Sequence, residues 1–402
     1  MNLNGTVAIA GFGDIYGEEG RDNLPTHLAA EAIIAATKDA GLTKADVTDQ
    51  ALLTGRSPFG EGRPQQWNSK LSSYLHLPTR VSTEITSHAA GANAMLKHAA
   101  SLILSGVTEY VICVHADTPG LVRMLEEAPM EDTHVDFEQP FGPTMPALYA
   151  MIARRYMYEF GATSEQLAQV AVHAQNWAVH HPYAAKASKG QITAEDVLSS
   201  REIASPYRLW DCALWGPKFG TAGSFVVTSG ERARDLTENP LYILGVGEAQ
   251  VSETFSEQLE SRANMPATLT TTSCAAAAAQ AYEMAGISPN DVDVVGAGVN
   301  FTAMAPILLE DLGFAAKGEG LRLFDEGRTD VGGDLPFNTN GGWLSFGQAG
   351  VSCGMDTMIE VARQMRGEAL GLQVPDCRLG IIQNQGGPLA YNTVTVLSTQ
   401  PN

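Results

Sequence analysis

Short apolar runs alternate along the chain with longer stretches in which apolar residues recur every three or four positions. Residues 7–11, 110–115 and 241–245 are largely apolar, which predicts strands that are buried on both faces of a sheet. Residues 29–41 and 91–106 have the helical spacing, and each stretch ends in glycine, a common helix C-terminus. Buried strands that alternate with amphipathic helices predict an α/β fold.

The chain also repeats one series of elements. The sequence AGLTKADV at 40–47 recurs as AGISPNDV at 285–292, each time between an Ala-rich helix and an apolar strand. The paired segments, in chain order, are 7–11 with 241–245, 29–55 with 275–299, and 91–115 with 350–384. A repeat of this kind predicts a duplicated domain. We therefore divide the chain into halves at 1–240 and 241–402.

The first half contains an excursion, at about 116–225, that breaks this pattern. Helical spacing is found at 149–161 and 164–180. Seven basic and six acidic residues lie within 151–220, which makes this stretch nearly neutral in a chain of net charge −20. The stretch is a candidate site for a phosphate-bearing ligand, or it is simply a solvated face.

Composition narrows the choice of function and location. An acidic surface disfavours nucleic acid and anionic membranes, because both carry negative charge. No apolar run approaches the roughly 20 residues needed to cross a bilayer, and the first residues lack a basic segment followed by an apolar one. The five cysteines show no CxxC spacing, which disfavours a disulfide framework or a structural zinc site. We expect a reduced, cytoplasmic protein with no bound metal or cofactor.

Several motifs, spread over most of the chain, resemble those of one family. They are YAMIARRYMY at 149–158, GATSE at 161–165, LPFNTNGG at 335–342 and QNQGG at 383–387. They resemble the thiolase superfamily, and most closely its sterol-carrier-protein type, also called lipid-transfer proteins. The resemblance implies a duplicated, five-layered αβαβα fold and a coenzyme A thioester as substrate. The candidates for holding the coenzyme A part are Gly386, Gly387, Lys186, Lys189 and Arg208.

The resemblance also locates the reaction centre, where the family's usual residues are absent. His88 stands where relatives have the nucleophilic cysteine, and Gln348 where they have the histidine of Gly-His-Pro. Gly298 stands where relatives have an Asn or a His, and Asn300 lies two residues further on. Gln383 stands where relatives have their second cysteine. Glutamine donates a hydrogen bond but takes no proton at physiological pH. The resemblance therefore implies chemistry other than cysteine-dependent thiolysis.

The remaining polar residues have two possible roles. A neutral His88 could act as base, acid or hydrogen-bond donor at a reacting carbonyl, or it could fill space left by a lost cysteine. Side chains in the glycine-rich loops could orient a carbonyl oxygen, or they could satisfy the turns in which they lie. The expected catalytic residues are therefore His88 and Gln383 together with four polar residues of the glycine-rich loops: Gln348, Asn300, Asn340 and Ser345.

Two functions of different class follow from the resemblance. The first is an enzyme that cleaves or forms a carbon–carbon bond in an acyl-CoA-type substrate, by retro-aldol or Claisen-type chemistry or acyl transfer, without an acyl-cysteine. Thiolase-like steroid side-chain aldolases are similar, but they use tyrosines at places that match Gly298 and Gln348. The second is a degenerate subunit that shapes the pocket of an active partner. The resemblance also implies a homodimer or a heterotetramer, with a small zinc-ribbon/OB-fold protein as a possible partner.

Overall fold

A computed structural model describes residues 3, 5–18, 23–55, 66–118, 133–213, 220–250, 255–256 and 268–401. Its strands are β1 Val7–Tyr16, β2 Gln50–Gly55, β3 Thr79–Ile85, β4 Tyr110–Asp117, β5 Glu202–Ala204, β6 Tyr207–Arg208, β7 Thr221–Ser229, β8 Leu241–Gln250, β9 Val294–Ala297, β10 Leu379–Gly386 and β11 Tyr391–Ser398. All except β5 and β6, which form a small ribbon, belong to one mixed sheet.

The helices lie between these strands. They are α1 Pro25–Asp39, α2 Lys44–Val47, α3 Trp67–Leu75, α4 Gly91–Leu104, α5 Met145–Phe160, α6 Ser164–Ala178, α7 Ala194–Ser199, α8 Gly230–Leu236, α9 Cys274–Ala285, α10 Met304–Asp311, α11 Arg322–Asp325, α12 Gly342–Ser345 and α13 Cys353–Arg366. Short 3-10 helices include His88–Ala90 and Gly350–Ser352. Within the described residues, no helix is both long enough and apolar enough to span a membrane.

The sheet is built from two halves with the same strand order. It runs β3-β2-β4-β7-β1-β8-β11-β10-β9, and β1 meets β8 through only two residue pairs, Ala8 with Tyr242 and Ile9 with Leu241. Beyond β9, Val295 bridges to Phe337 in parallel, at the place that β3 occupies in the first half. The repeated order supports, as a proposal, the division at 240/241.

Helices and half-sheets form five alternating layers. α4 and α13 occupy the middle layer, because each contacts strands of both halves. α1 covers the outer face of the first half and α9 that of the second. The outer contact is close: a Cβ on Gly247 of β8 would lie 1.9 Å from the carbonyl oxygen of Ala277 in α9. This is the αβαβα arrangement that the resemblance to thiolases implied.

The excursion in the first half is helical where the sequence indicated it. α5 and α6 occupy the predicted stretches, and Thr163 caps α6 by accepting a hydrogen bond from the backbone N–H of Gln166. α6 packs against α12 of the second half. The excursion therefore lies against α12, which directly precedes the loop that contains Gln348.

Candidate active site

A strained turn carries His88. β3 ends at Ile85, and the chain enters the 3-10 helix His88–Ala90 with His88 in a left-handed conformation, at φ 49°. Left-handed backbone is uncommon for residues other than glycine, and it is often found at functional sites. The turn continues directly into α4, so His88 lies at the N-terminal end of a central-layer helix.

The end of β10 lies directly against this turn. A Cβ on Gly386 would lie 2.7 Å from the carbonyl oxygen of Ser87 and 3.7 Å from the Cβ of His88. A side chain at 386 would therefore push the two segments apart. Glycine at this position allows the backbone of β10 to approach the His88 turn.

A cleft of about 760 Å³ opens at this contact. His88, Gly386 and Gly387 line it, so the structure brings together these three of the residues that the sequence singled out. Further lining residues, which were not predicted, are His134, Asp136, Gln250 and Tyr391. A concave site with a few convergent polar groups is the usual form of a small-molecule site.

His134 is a second imidazole in the cleft, and sequence reasoning missed it. Its Nδ1 accepts a hydrogen bond of 3.1 Å from the backbone N–H of Asp136, which leaves the ring proton on Nε2. Within the described residues no protein group is bonded to that Nε2–H. His134 is therefore an oriented hydrogen-bond donor in the same cleft as His88. It lies in the excursion, outside the repeat, and no motif marked it.

Buried amides lie behind the cleft. Gln383 is fully buried; its Oε1 accepts from the backbone N–H of Gly298 at 3.1 Å, and its Nε2 donates to Asn392 Oδ1 at 2.7 Å. Both ends of this side chain are thus bonded to the protein. This placement favours a structural role for Gln383 in place of the catalytic role that we expected.

Asn300 is held from the same strand by Gln385. The Nε2 of Gln385 donates to the backbone oxygen of Gly298 at 2.8 Å and to Asn300 Oδ1 at 3.2 Å. The backbone oxygen of Asn300 accepts from Ala213 N–H at 2.8 Å. In the part of the chain that the structure describes, Asn300 Nδ2 has no bonded acceptor. The QNQGG run was visible in the sequence, but only the fold shows that Gln385 faces Asn300.

Trp343 fills the space over Gly298. A Cβ on Gly298 would lie 2.5 Å from the Trp343 ring, whose Nε1 donates to the carbonyl of Cys353 and to the hydroxyl of Thr357 at 3.1 and 2.9 Å. The indole is thus fixed by two hydrogen bonds. No side chain can stand at 298 while Trp343 keeps this position.

The residues of the α12 loop differ in accessibility. Asn340 Oδ1 accepts from Gly342 N–H at 2.8 Å, so this side chain caps the turn into α12. Ser345 is buried, and its carbonyl accepts from the backbone N–H of Lys186 at 3.1 Å. Gln348 is half-buried and precedes the helix Gly350–Ser352, which packs against the His88 turn. Of these, only Gln348 retains a partly exposed side chain near the cleft.

The basic candidates lie apart from the cleft. Lys186 is 1% exposed; its Nζ donates to the carbonyl of Cys212 at 3.4 Å and lies 4.9 Å from the ring centroid of Trp210. Burial lowers the pKa of Lys186 to about 8, opposed by the nearby Cys212 and Asp211. Its ammonium points into the protein. The expected contact of Lys186 with a phosphate is therefore corrected to an internal contact with the carbonyl of Cys212.

The other two basic candidates are more accessible. Arg208 is half-buried, and its Nη1 donates to the carbonyl of Ser200 at 3.0 Å. Lys189 is exposed at the end of a 3-10 helix. Of the three basic candidates, Lys189 is therefore the most exposed and Lys186 the most buried.

The five cysteines are all free and buried. Burial raises the pKa of each thiol, to about 12 for Cys377 and further for the others. A thiol with so high a pKa carries almost no thiolate at neutral pH. Among the described residues, no group of three or more His, Cys, Asp or Glu side chains is arranged to hold a metal ion.

Comparison with known proteins finds relatives along nearly the whole chain. Residues 256–399 match the family described as Thiolase C-terminal domain-like. An acetyl-CoA acetyltransferase of Methanothermobacter thermautotrophicus is 33% identical over 390 residues, covering 96% of each chain. The 17-hydroxy-3-oxo-4-pregnene-20-carboxyl-CoA lyase of Mycobacterium tuberculosis is 33% identical over 379 residues, covering 92% of this chain and 93% of the lyase.

A solved Ltp2-ChsH2(DUF35) aldolase superposes with a TM-score of 0.79 at 29% identity, over 98% of each chain. The chain therefore belongs to the thiolase superfamily, in the branch that contains sterol-carrier-protein-type thiolases and thiolase-like aldolases. The comparisons support a thiolase-superfamily enzyme of acyl-CoA or carbon–carbon bond chemistry.

Proposed function

We propose that this chain cleaves or forms a carbon–carbon bond in an acyl-CoA substrate without a covalent acyl-cysteine. The observation that carries the proposal is His88 in its left-handed turn at the cleft, while all five thiols are buried. Two relatives favour the aldol direction by their names, the 17-hydroxy-3-oxo-4-pregnene-20-carboxyl-CoA lyase and a steroid side-chain-cleaving aldolase of Thermomonospora curvata.

The reaction needs one proton carrier and one oxyanion site. His88 takes the proton of the β-hydroxyl group, and the oxygen lone pair forms the new carbonyl as the Cα–Cβ bond breaks. The electrons of that bond move to Cα and make the thioester enolate. Asn300 Nδ2, together with Gln348, donates hydrogen bonds to the enolate oxygen. The His88 imidazolium then returns its proton to Cα, so the protons balance.

The coenzyme A part is proposed to lie along Gly386 and Gly387, because glycines let a backbone approach a ligand closely. Lys189 and Arg208 remain the candidates for its phosphates. Five free thiols suit a reducing cytoplasm, which is the location we propose.

Alkylation tests the proposal directly. We expect iodoacetamide to leave the turnover of a β-hydroxyacyl-CoA unchanged within about twofold, because buried thiols with raised pKa react slowly. We also expect no cysteine-dependent release of acetyl-CoA from acetoacetyl-CoA. Turnover is followed by product formation before and after alkylation. Rapid inactivation that maps to a single cysteine would contradict the proposal.

We also propose that the chain works as a homodimer or as a heterotetramer with a small zinc-ribbon/OB-fold partner. Among the described strands β3 lies at the edge of the sheet, and an unpaired edge is a surface for pairing with a second chain. The solved aldolase that contains ChsH2(DUF35) favours such a partner. Sedimentation should give a two-fold assembly at micromolar concentration. A stable monomer, alone and with the partner present, would count against it.

A further inference from the structure

Asn300 can present either end of its amide to a ligand, and the two ends have opposite chemistry. The nitrogen donates hydrogen bonds and the oxygen accepts them. An enolate oxygen is stabilised only by the donor end. The orientation of this one side chain therefore decides whether it assists or opposes the reaction.

Gln385 fixes that orientation from the end of β10. Its Nε2 donates to Asn300 Oδ1 and to the carbonyl of Gly298. Because a donor bonds only to an acceptor, Gln385 Nε2 bonds to the oxygen of the Asn300 amide and not to its nitrogen. The Asn300 nitrogen is then turned the other way. We propose that Gln385 is a positioning residue that aims Asn300 Nδ2 at the oxygen of the acyl group. This inference rests on the proposed function, because it assumes an acyl oxygen within hydrogen-bond reach of Asn300 Nδ2.

A second observation supports the assignment. Gln385 is 4% exposed, yet among the residues that the structure describes its buried Oε1 has no hydrogen-bond partner. A buried acceptor without a partner lowers stability. An apolar residue of similar size would avoid that cost but could not donate to Asn300. The need for a hydrogen-bond donor to Asn300 therefore explains glutamine at position 385.

Replacing Gln385 by glutamate reverses the hydrogen bond. A carboxylate only accepts, so it draws Asn300 Nδ2 toward itself and turns the Asn300 oxygen to the substrate. We expect Gln385→Glu to lower kcat about 10²–10³-fold, as loss of an oxyanion donor does. In Gln385→Met the Asn300 amide can adopt either orientation. The kcat of this variant should fall only about threefold to tenfold.

The matched control is Asn384→Asp on the same strand. Asn384 Nδ2 donates to Asn93 Oδ1 and to the carbonyl of Gly354, whereas the described side chain that bonds to Asn300 Oδ1 is Gln385. This variant adds the same buried carboxylate, so it should lower the thermal unfolding midpoint as Gln385→Glu does while keeping kcat. A double variant, Gln385→Glu with Asn300→Ala, should be no slower than Asn300→Ala alone.

Binding provides a readout that needs no turnover. Calorimetry with acetonyl-CoA, a ketone analogue of acetyl-CoA, should show binding at least about tenfold weaker to Gln385→Glu than to the wild-type complex or Asn384→Asp. If the wild type binds the analogue and Gln385→Glu binds it equally, the positioning role is wrong. Additive losses in the double variant would also overturn it. If the wild type neither binds the analogue nor turns over an acyl-CoA, the proposed function itself fails, and the positioning role fails with it.

Discussion

His88→Ala should lower the turnover of the assembled complex roughly 10²–10⁴-fold while the fold survives, because it removes the proton carrier of the cleft. The assay uses the complex with its partner and follows the release of the carbonyl product. Circular dichroism and thermal unfolding establish that the variant is folded. The side chain is only partly buried, so its loss leaves no large cavity in the core.

His88→Cys is the companion variant. Without a histidine at 348, the new thiol has no neighbouring base in that position, and we expect it not to create thiolase activity. A His88→Ala complex with full activity would exclude the catalytic role of His88. That result would instead favour the alternative function, in which the chain shapes the pocket of an active partner.

Asn300→Ala should lower kcat about 10²–10³-fold with a smaller change in KM, because an oxyanion donor acts mainly in the transition state. Gln348→Ala should lower kcat at least about tenfold, because it also removes a proposed oxyanion donor. Both variants are measured by steady-state kinetics on the complex. If Asn300→Ala raises KM and leaves kcat unchanged, Asn300 contributes to ground-state binding alone and the proposed enolate contact is wrong.

The main features of the fold could be predicted from the sequence because they depend on periodic patterns. The AGLTKADV repeat indicated the duplication, and both copies lead into parallel strands, β2 and β9, at equivalent places in the sheet. The position of His88 at the reaction centre followed from the resemblance to thiolases. The structure adds the left-handed turn and the cleft at that residue.

The parts that could not be predicted depend on contacts between distant segments. Gln385 reaches Asn300 across 85 positions, and Trp343 covers Gly298 from another loop. Lys186 looked like a surface cation in a near-neutral stretch, but its ammonium turns toward Cys212. Charge and spacing in a sequence do not report which way a side chain points, so these residues needed the structure.

The packing of Trp343 on Gly298 constrains how this site can change during evolution or design. A tyrosine at 298, as the resemblance assigns to steroid aldolases, clashes with the indole, and shrinking Trp343 first leaves a void beside Cys353 and Thr357. Each single step therefore loses stability, although the double change need not. The two positions form an epistatic pair, so a route between the two kinds of site requires both substitutions together or a stabilising change beforehand.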